Sequence, residues 1–537
     1  MKFGEITDRE PSAGYRNYAL GIFAVVYALN FIDRQIISVL ALDLQRDLGL
    51  SEADLGFLYG TAFGVFYAVF GIPMGRLADS WNRIRLTTLG LALWSAMTAL
   101  SGFARNGLQL TLARIGVGIG EATASPCAYS IISDYFPKKR RATAIALYTA
   151  GMYVGSGASL FIGATVVEQW NRAFPDGWNG IVGWQAAFMV VGLPGLLLAL
   201  LVASLKEPVR GLADGIAQPP AEKPFHGFLQ ELLTIVPPFC LFGAARRGTG
   251  ALILNICAAT VIWLAAFMLV SLTGDTLQWI AVAIGVYAVF SWVSALWSRD
   301  RPAWTLIWGT PSFVILAIAH GLTSFVNYAV IFWSLPYVES VLGANRAEAG
   351  LIIGGAGASA GFLGLLLGGR LADFLRERHP SGRVMVMIAG AILPFIPLAI
   401  IFTTDRLDVF YILYFPMILL GSITLPAAGA TTQDLVLPRM RGLASATFLL
   451  SLTMMGLALG PYAVGAISMA TGSLGTAVLS LKAVLPISLS LFIALYFKLP
   501  EAEASLIDRA RQAGEDIWGI SLAKRPKLLS ARFLETE

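Results

Sequence analysis

The chain has 537 residues, of which 56% are hydrophobic and 13% charged, with a net charge of +5. So few charged groups cannot coat a water-soluble globule of this size, which excludes a soluble enzyme or binding module and leaves a chain dissolved in lipid. Basic loops are ordinary in membrane proteins, so the positive balance does not point to nucleic acid.

Taken in chain order, apolar runs long enough to cross a bilayer fall at 17–42, 53–78, 84–103, 107–136, 141–167 and 182–205. They are continuous rather than alternating, which predicts helices and not barrel strands. The first run carries Asp33 and Arg34 and has no small-residue cleavage site behind it, so it does not read as a signal peptide. A polar linker containing Pro219 and Pro220 follows, then two apolar runs at 250–272 and 276–298 separated by Gly274 and Asp275. These predict an inserted hairpin, with one re-entrant element as the alternative. Six more runs fall at 309–338, 347–373, 383–403, 407–434, 441–470 and 476–498. In the tail, Leu506, Ala510, Ala513, Ile517 and Ile520 at helical spacing predict an amphipathic helix.

The expected fold is all-α and membrane-spanning, with about 14 spans. It divides into an N-terminal six-helix bundle at 1–205, a cytoplasmic linker at 206–248, a transmembrane hairpin at 249–302, a C-terminal six-helix bundle at 303–499 and a cytoplasmic tail at 500–537. Arg76, Arg83 and Arg85 crowd one loop and Lys138, Lys139, Arg140 and Arg141 another, against Arg46, Arg105 and Arg172 on the opposite side. That asymmetry puts both termini in the cytoplasm, and the expected location is the cell inner membrane, as a monomer. Cys127, Cys240 and Cys257 lack metal-ligand spacing and predict neither a metal site nor a disulfide.

The halves also repeat each other. Gly75-Arg76-Leu77-Ala78-Asp79 recurs as Gly369-Arg370-Leu371-Ala372-Asp373, an offset of 369 − 75 = 294, and at that offset Gly49, Ala53, Gly56 and Gly60 fall on Gly343, Ala347, Gly350 and Gly354. At 434 − 134 = 300, Asp134, Arg141, Ala144 and Ala146 fall on Asp434, Arg441, Ala444 and Ala446. The duplicated unit is a six-helix half, which predicts pseudo-twofold symmetry with the hairpin outside it.

The segment from Gly71 to Arg85, with Gly75, Asp79, Arg83 and Arg85 at its turn, resembles the loop 2–3 signature of the major facilitator superfamily. Physically, Gly75 permits close helix approach, while Asp79 accepts from helix N-terminal amides or pairs with an arginine across the seam between halves. Gly75, Arg76, Asp79, Arg83 and Arg85, their counterparts Gly369, Arg370 and Asp373, and the pairs Asp134 with Arg141 and Asp434 with Arg441 are therefore expected at an inner gate.

Arg114-Ile-Gly-Val-Gly118-Ile-Gly120-Glu121 resembles the superfamily's basic fourth-helix motif. An ionised arginine inside a span costs about 2.5–3.5 kcal/mol on insertion scales, so Arg114 is expected to face a cavity or a partner. Together with Asn30-Phe31-Ile32-Asp33-Arg34 and the run up to Arg141, this constellation is similar to Spinster proteins across the twelve-helix core. The resemblance implies proton coupling at Asp33, Arg114 and Glu121 and substrate contact at Arg34 and Arg114. A static ion-pair network joining the first and fourth helices is the alternative.

The second half lacks these charges: Asn327, Tyr414 and Gly421 stand at the positions matching Asp33, Arg114 and Glu121. It offers neutral hydrogen-bonding groups among aromatics, and Ser324, Asn327, Tyr328, Phe332 and Thr424 are expected at an amphipathic anionic substrate, with plain interhelical packing as the alternative. The glycine run Gly151 to Gly157 lacks the proline of the antiporter signature, leaving the coupling direction open, and His320 is expected to be structural. The expected activity is proton-coupled alternating access, with a lysolipid or sphingolipid-like cargo by resemblance. A small organic-anion/proton symporter and a non-transporting membrane sensor are the alternatives. No phosphate loop, metal cluster or nucleophilic triad stands out, so neither a cofactor nor catalysis is expected.

Overall fold

The computed structural model describes residues 12–210 and 223–515. The first bundle opens with α1 (Ala13–Leu48), whose N-terminus is capped by the Ser12 hydroxyl and which stops at Gly49 with φ +65°. A capping box between Ser51 and Asp54 starts α2 (Glu52–Ser80), which carries a π turn at Phe57–Thr61. Then come α3 (Arg83–Ser101), α4 (107–135, broken at 122–123), α5 (Lys138–Ala173) and α6 (Gly183–Ala203).

Between the bundles lie α7 (Pro224–Ile235) and α8 (Phe239–Arg247), bent 96° to each other, then the hairpin α9 (Thr249–Thr273) and α10 (Thr276–Arg299), and the short α11 (Arg301–Ile307). The second bundle comprises α12 (Pro311–Ser340), α13 (Arg346–Arg378), α14 (Gly382–Ile401), α15 (Leu407–Asp434), α16 (Pro438–Thr471) and α17 (Leu474–Ala504), followed by α18 (Leu506–Gln512).

Among the described residues, 12 helices are long and apolar enough to cross a membrane, both hairpin helices included. α3 and α4 are not among them: α3 opens on Arg83 and Arg85, and α4 carries Arg114 and Glu121 and is interrupted. Both nevertheless pack inside the first bundle, where Trp94 and Val117 are fully buried.

Two expectations change. The linker is not simply an aqueous spacer, because α7 lies along α2 with Ile235 fully buried beside Val65 and Val69, and the Ser80 hydroxyl donates to the Pro224 carbonyl at 2.8 Å. The tail helix is short; Ala510 is fully buried and Leu506 packs on the second bundle, whereas Ile517 and Ile520 lie outside the described residues.

The internal repeat has a physical meaning at the seam. A Cβ added at Gly60 would lie 2.2 Å from the Leu457 carbonyl oxygen, and one at Gly354 would lie 2.5 Å from that of Gly157. Gly56 and Gly350 press in the same way on Pro461 and Leu160. Thus α2 crosses α16 and α13 crosses α5 through matching glycines, and only glycine lets the backbones meet so closely. Gly75 behaves otherwise: a Cβ there meets nothing within 4 Å, because it faces the open cavity between the halves. Gly354→Ala should therefore lower thermal stability by about 1–3 kcal/mol through forced separation of the backbones. Gly75→Ala should leave the melting transition of the detergent-solubilised protein unchanged. Equal melting of the two variants contradicts this account.

Candidate functional site

The ionisable residues of α1 and α4 meet in the interior of the first bundle. Arg34 Nε donates to Glu121 Oε2 at 2.7 Å, and Arg114 Nη1 lies 3.5 Å from Asp33 Oδ1 and 3.4 Å from the Asp33 carbonyl. The Thr98 hydroxyl of α3 also donates to Asp33. Each buried carboxylate thus has an arginine partner, as burial demands.

The two arginines are not equivalent. Arg114 is fully buried, whereas the Arg34 side chain keeps 15% of its surface. The Arg34 guanidinium stacks over Phe63 at 4.7 Å and Tyr67 at 4.6 Å, so two rings of α2 hold its plane in place. The network is also incompletely satisfied: Arg114 Nε and Nη2, Glu121 Oε1 and both side-chain polar atoms of Asn30 are buried without a hydrogen-bond partner. Such buried groups cost free energy where they stand.

A cavity of about 940 Å³ lies between the halves. On α2 its wall runs from Tyr67 through Gly71 and Gly75 to Arg76 and Asp79, toward the end of the molecule where α1 begins and α17 ends. Ser125 and Tyr129 of α4, Thr432 and Gln433 of α15, and Phe448 and Thr453 of α16 face it from the other sides. Tyr67 is shared between the cavity wall and the Arg34 stack, so the ion cluster sits directly behind the cavity's inner end.

At the opposite end the halves are sealed. Arg346 of α13 pairs with Asp43 of α1 and, at 2.7 Å, with Glu339 of α12. Across the seam, Ser38 donates to the Phe332 carbonyl at 2.6 Å and Thr61 to the Ala458 carbonyl, while within the second half Trp333 Nε1 donates to the Pro461 carbonyl at 2.9 Å. With the glycine crossings these close one side while the terminal side stays open.

The expected gate residues occupy the open end, and the described contacts hold them within their own halves. Arg83 bonds Asp134, Ser130 and Glu207, and Arg383 bonds Asp434 and lies 3.6 Å from Asp373. Arg83 with Asp134 and Arg383 with Asp434 are thus the same pair repeated in the two halves. Arg76 and Asp79 line the open cavity; among the described residues no ion pair carries Asp79 across the seam. Arg441 and Asp434 border a second, smaller hollow beside α18, while Gly369 and Arg370 follow one turn before Asp373 on α13. Arg85 and Arg141 open α3 and α5 at this same end.

The neutral residues expected at the substrate do not line the large cavity. Ser324 abuts Gly456, Asn327 abuts Gly421, Thr424 donates to the Gly421 carbonyl, and Phe332 packs on Tyr59 at 4.5 Å inside the seal. Tyr328 is half-buried in the same α12 interface. His320 is buried in a stack with Phe448 at 5.2 Å. Sequence reasoning missed Asp43, Glu339 and Arg346, which stand just outside the apolar runs 17–42, 309–338 and 347–373, where charges are ordinary and give no sign of a partner.

Comparison with known proteins gives the same architecture. The Major Facilitator Superfamily profile matches residues 23–335 and 316–534. An MFS-type efflux pump of Mycolicibacterium smegmatis is 28% identical over 84% of this chain and 84% of its own length. A probable L-galactonate transporter of Escherichia coli is 33% identical over 33% of this chain and 36% of its own, and the sphingosine-1-phosphate transporter SPNS2 of Danio rerio is 29% identical over 36% and 37%. For these last two relatives the chain spans about a third of their length. The crystal structure of a bacterial homologue of the human lysosomal transporter Spinster, inward-facing and unoccupied, superposes with a TM-score of 0.64 at 25% identity, over 95% of this chain and 100% of that one. The chain belongs to the Major Facilitator Superfamily: it is a multi-pass membrane transporter with Spinster proteins among its homologues, and not an enzyme.

Proposed function

We propose that this protein moves an amphipathic, lipid-like anion across the inner membrane by alternating access, with proton coupling at Asp33, Arg114 and Glu121. The observation that carries the reading is the composition of the cavity. Ile72, Leu425, Leu443, Phe448 and Leu449 supply long apolar walls, polar groups gather toward the mouth, and a stacked arginine waits behind the inner end. An acyl chain suits such walls, and an anionic head suits Arg34.

Coupling follows from competition for Arg34. While Glu121 is ionised it holds the guanidinium at 2.7 Å. A proton on Glu121 cancels that attraction, and the head group of the cargo takes the place of the carboxylate. Asp33 and Arg114, more deeply buried, form the second station, which empties when the halves rock and its hydration changes. With both termini cytoplasmic, the open end faces the cytoplasm and the Asp43, Arg346 and Glu339 cluster is the closed outer gate. The relative that moves sphingosine-1-phosphate supports the substrate class. A sugar-acid symporter is the second reading, favoured by the galactonate relative, but the apolar walls fit it less well.

Proteoliposomes with an imposed pH gradient separate these readings. A lysophospholipid or sphingoid phosphate should be carried and a hexonate should not. Glu121→Gln and Asp33→Asn should each cut gradient-driven flux by on the order of tenfold or more. Hexonate flux with no amphiphile flux establishes the second reading; gradient-independent flux untouched by either substitution ends proton coupling; binding without any flux points to a sensor.

The gates give a further expectation. Arg346→Gln should raise the reactivity of a cysteine placed at Thr61 toward an impermeant reagent from the outer side, because the seal loses its only described ion pair between α1 and α13. Asp79→Asn and Asp373→Asn should instead favour the inside-open state, since neither can then help close the cytoplasmic end. Unchanged labelling in all three variants removes the assigned gate roles.

A further inference from the structure

The hairpin stands beside the cavity, not apart from it. α10 contributes Trp292, Leu296 and Arg299 to the lining. Its Ala288 and Trp292 are buried with Val65 and Val69 of α2 and Ala458 of α16, so one helix bridges the crevice between the two bundles. At Gly285 the approach is tight: a Cβ there would lie 2.4 Å from Met454 Cε of α16 and 3.0 Å from Val65 Cγ1 of α2.

The attachments differ on the two sides. Toward the second bundle they are polar and bracket α10 at both ends. The Tyr462 hydroxyl donates to Asp275 at 2.7 Å, and Arg439 donates through both terminal nitrogens to Asp300 at 2.7 and 3.1 Å. Toward α2 of the first bundle the contact is apolar, with Val65 and Val69 buried beside Ala288 and Trp292, and the linker helix α7, itself held to α2 by the Ser80 bond to the Pro224 carbonyl, ties α10 to that side as well. The linker helix α7 completes the wall: Arg299 pairs with Glu231 at 2.9 Å, and the Ser291 hydroxyl donates to the Thr234 carbonyl at 2.8 Å. The outer helix α9 contrasts with this, presenting Leu264, Phe267 and Leu272 outward.

We propose that α10 is a side wall of the transport cavity that seals the crevice between α2 and α16 from lipid and offers Trp292, Leu296 and Arg299 to the cargo. This rests on the reading of the cavity as the cargo path. The apolar pair meets an acyl chain, and Arg299, exchanging Glu231 for an anionic head, receives the cargo at the mouth. Cargo length is then limited by the bulk at position 296, and amphiphiles reach the cavity through its mouth or the flank opposite the hairpin.

The test uses the full chain in lipid nanodiscs, in a Cys257→Ala background because Cys127 and Cys240 are buried. A bimane fluorophore is attached at Leu296→Cys or, as a lipid-facing control, at Phe267→Cys. Aqueous iodide should quench the label at 296 and brominated lipid should not; at 267 the order should reverse. Quenching at 296 by brominated lipid overturns the seal. In proteoliposomes, Leu296→Trp should raise the KM of a long-chain lysophospholipid by on the order of tenfold relative to a short-chain one, a size effect that general damage does not mimic. An unchanged ratio overturns the cargo contact. The quenching assay needs no flux, so its failure sinks the wall alone, while absent amphiphile flux with the expected quenching sinks the substrate reading alone.

Discussion

An ionised side chain cannot remain alone in hydrocarbon, and that constraint organises the first bundle. Arg114 has no route to water, so α4 must lie where Asp33 of α1 can face it, and α3 must place Thr98 against the same carboxylate. Arg34 and Glu121 repeat the pairing two turns further along α4, behind Tyr67 of the cavity wall. Because the pairs join α1 to α4, any change in their protonation acts on helix packing as well as on charge.

The second constraint is that two bundles must part at one end while closing at the other. Glycines supply a hinge-like seam near the closed end, where carbonyl oxygens of α16 and α5 approach the bare Cα atoms of α2 and α13. The Asp43, Arg346 and Glu339 cluster fastens the same end with charge. Toward the termini, the repeated arginine–aspartate pairs stiffen each half internally, so the halves are suited to move as rigid bodies around the open cavity. The hairpin adds a third element, hydrogen-bonded to the second half and joined to the first through apolar contact with α2 and through α7.

Much of this architecture was legible in the sequence. Uninterrupted apolar runs give the helices, because lipid admits no unpaired backbone, and the recurrence of Gly75–Asp79 as Gly369–Asp373 gives the duplication. The four buried charges of α1 and α4 announced themselves by their cost, and their mutual neutralisation followed. The substrate-facing side was less legible. Ser324, Asn327, Tyr328, Phe332 and Thr424 are polar or aromatic residues in spans, but such groups satisfy neighbouring helices as readily as ligands, and the structure uses Phe332 and Thr424 for packing.

The sequence alone determined that this chain is helical, membrane-embedded and duplicated, with neutral residues in the second half where the first carries Asp33, Arg114 and Glu121, since each of these depends on local composition and periodicity. Tertiary structure decided which arginine meets which carboxylate, which glycines touch a backbone, which end is shut and that the hairpin walls the cavity. Those outcomes depend on helix rotation and crossing, which bring together residues hundreds of positions apart, such as Asp43 and Arg346 or Gly60 and Leu457. No local pattern encodes such meetings, because a helix face is defined only by the neighbour that covers it.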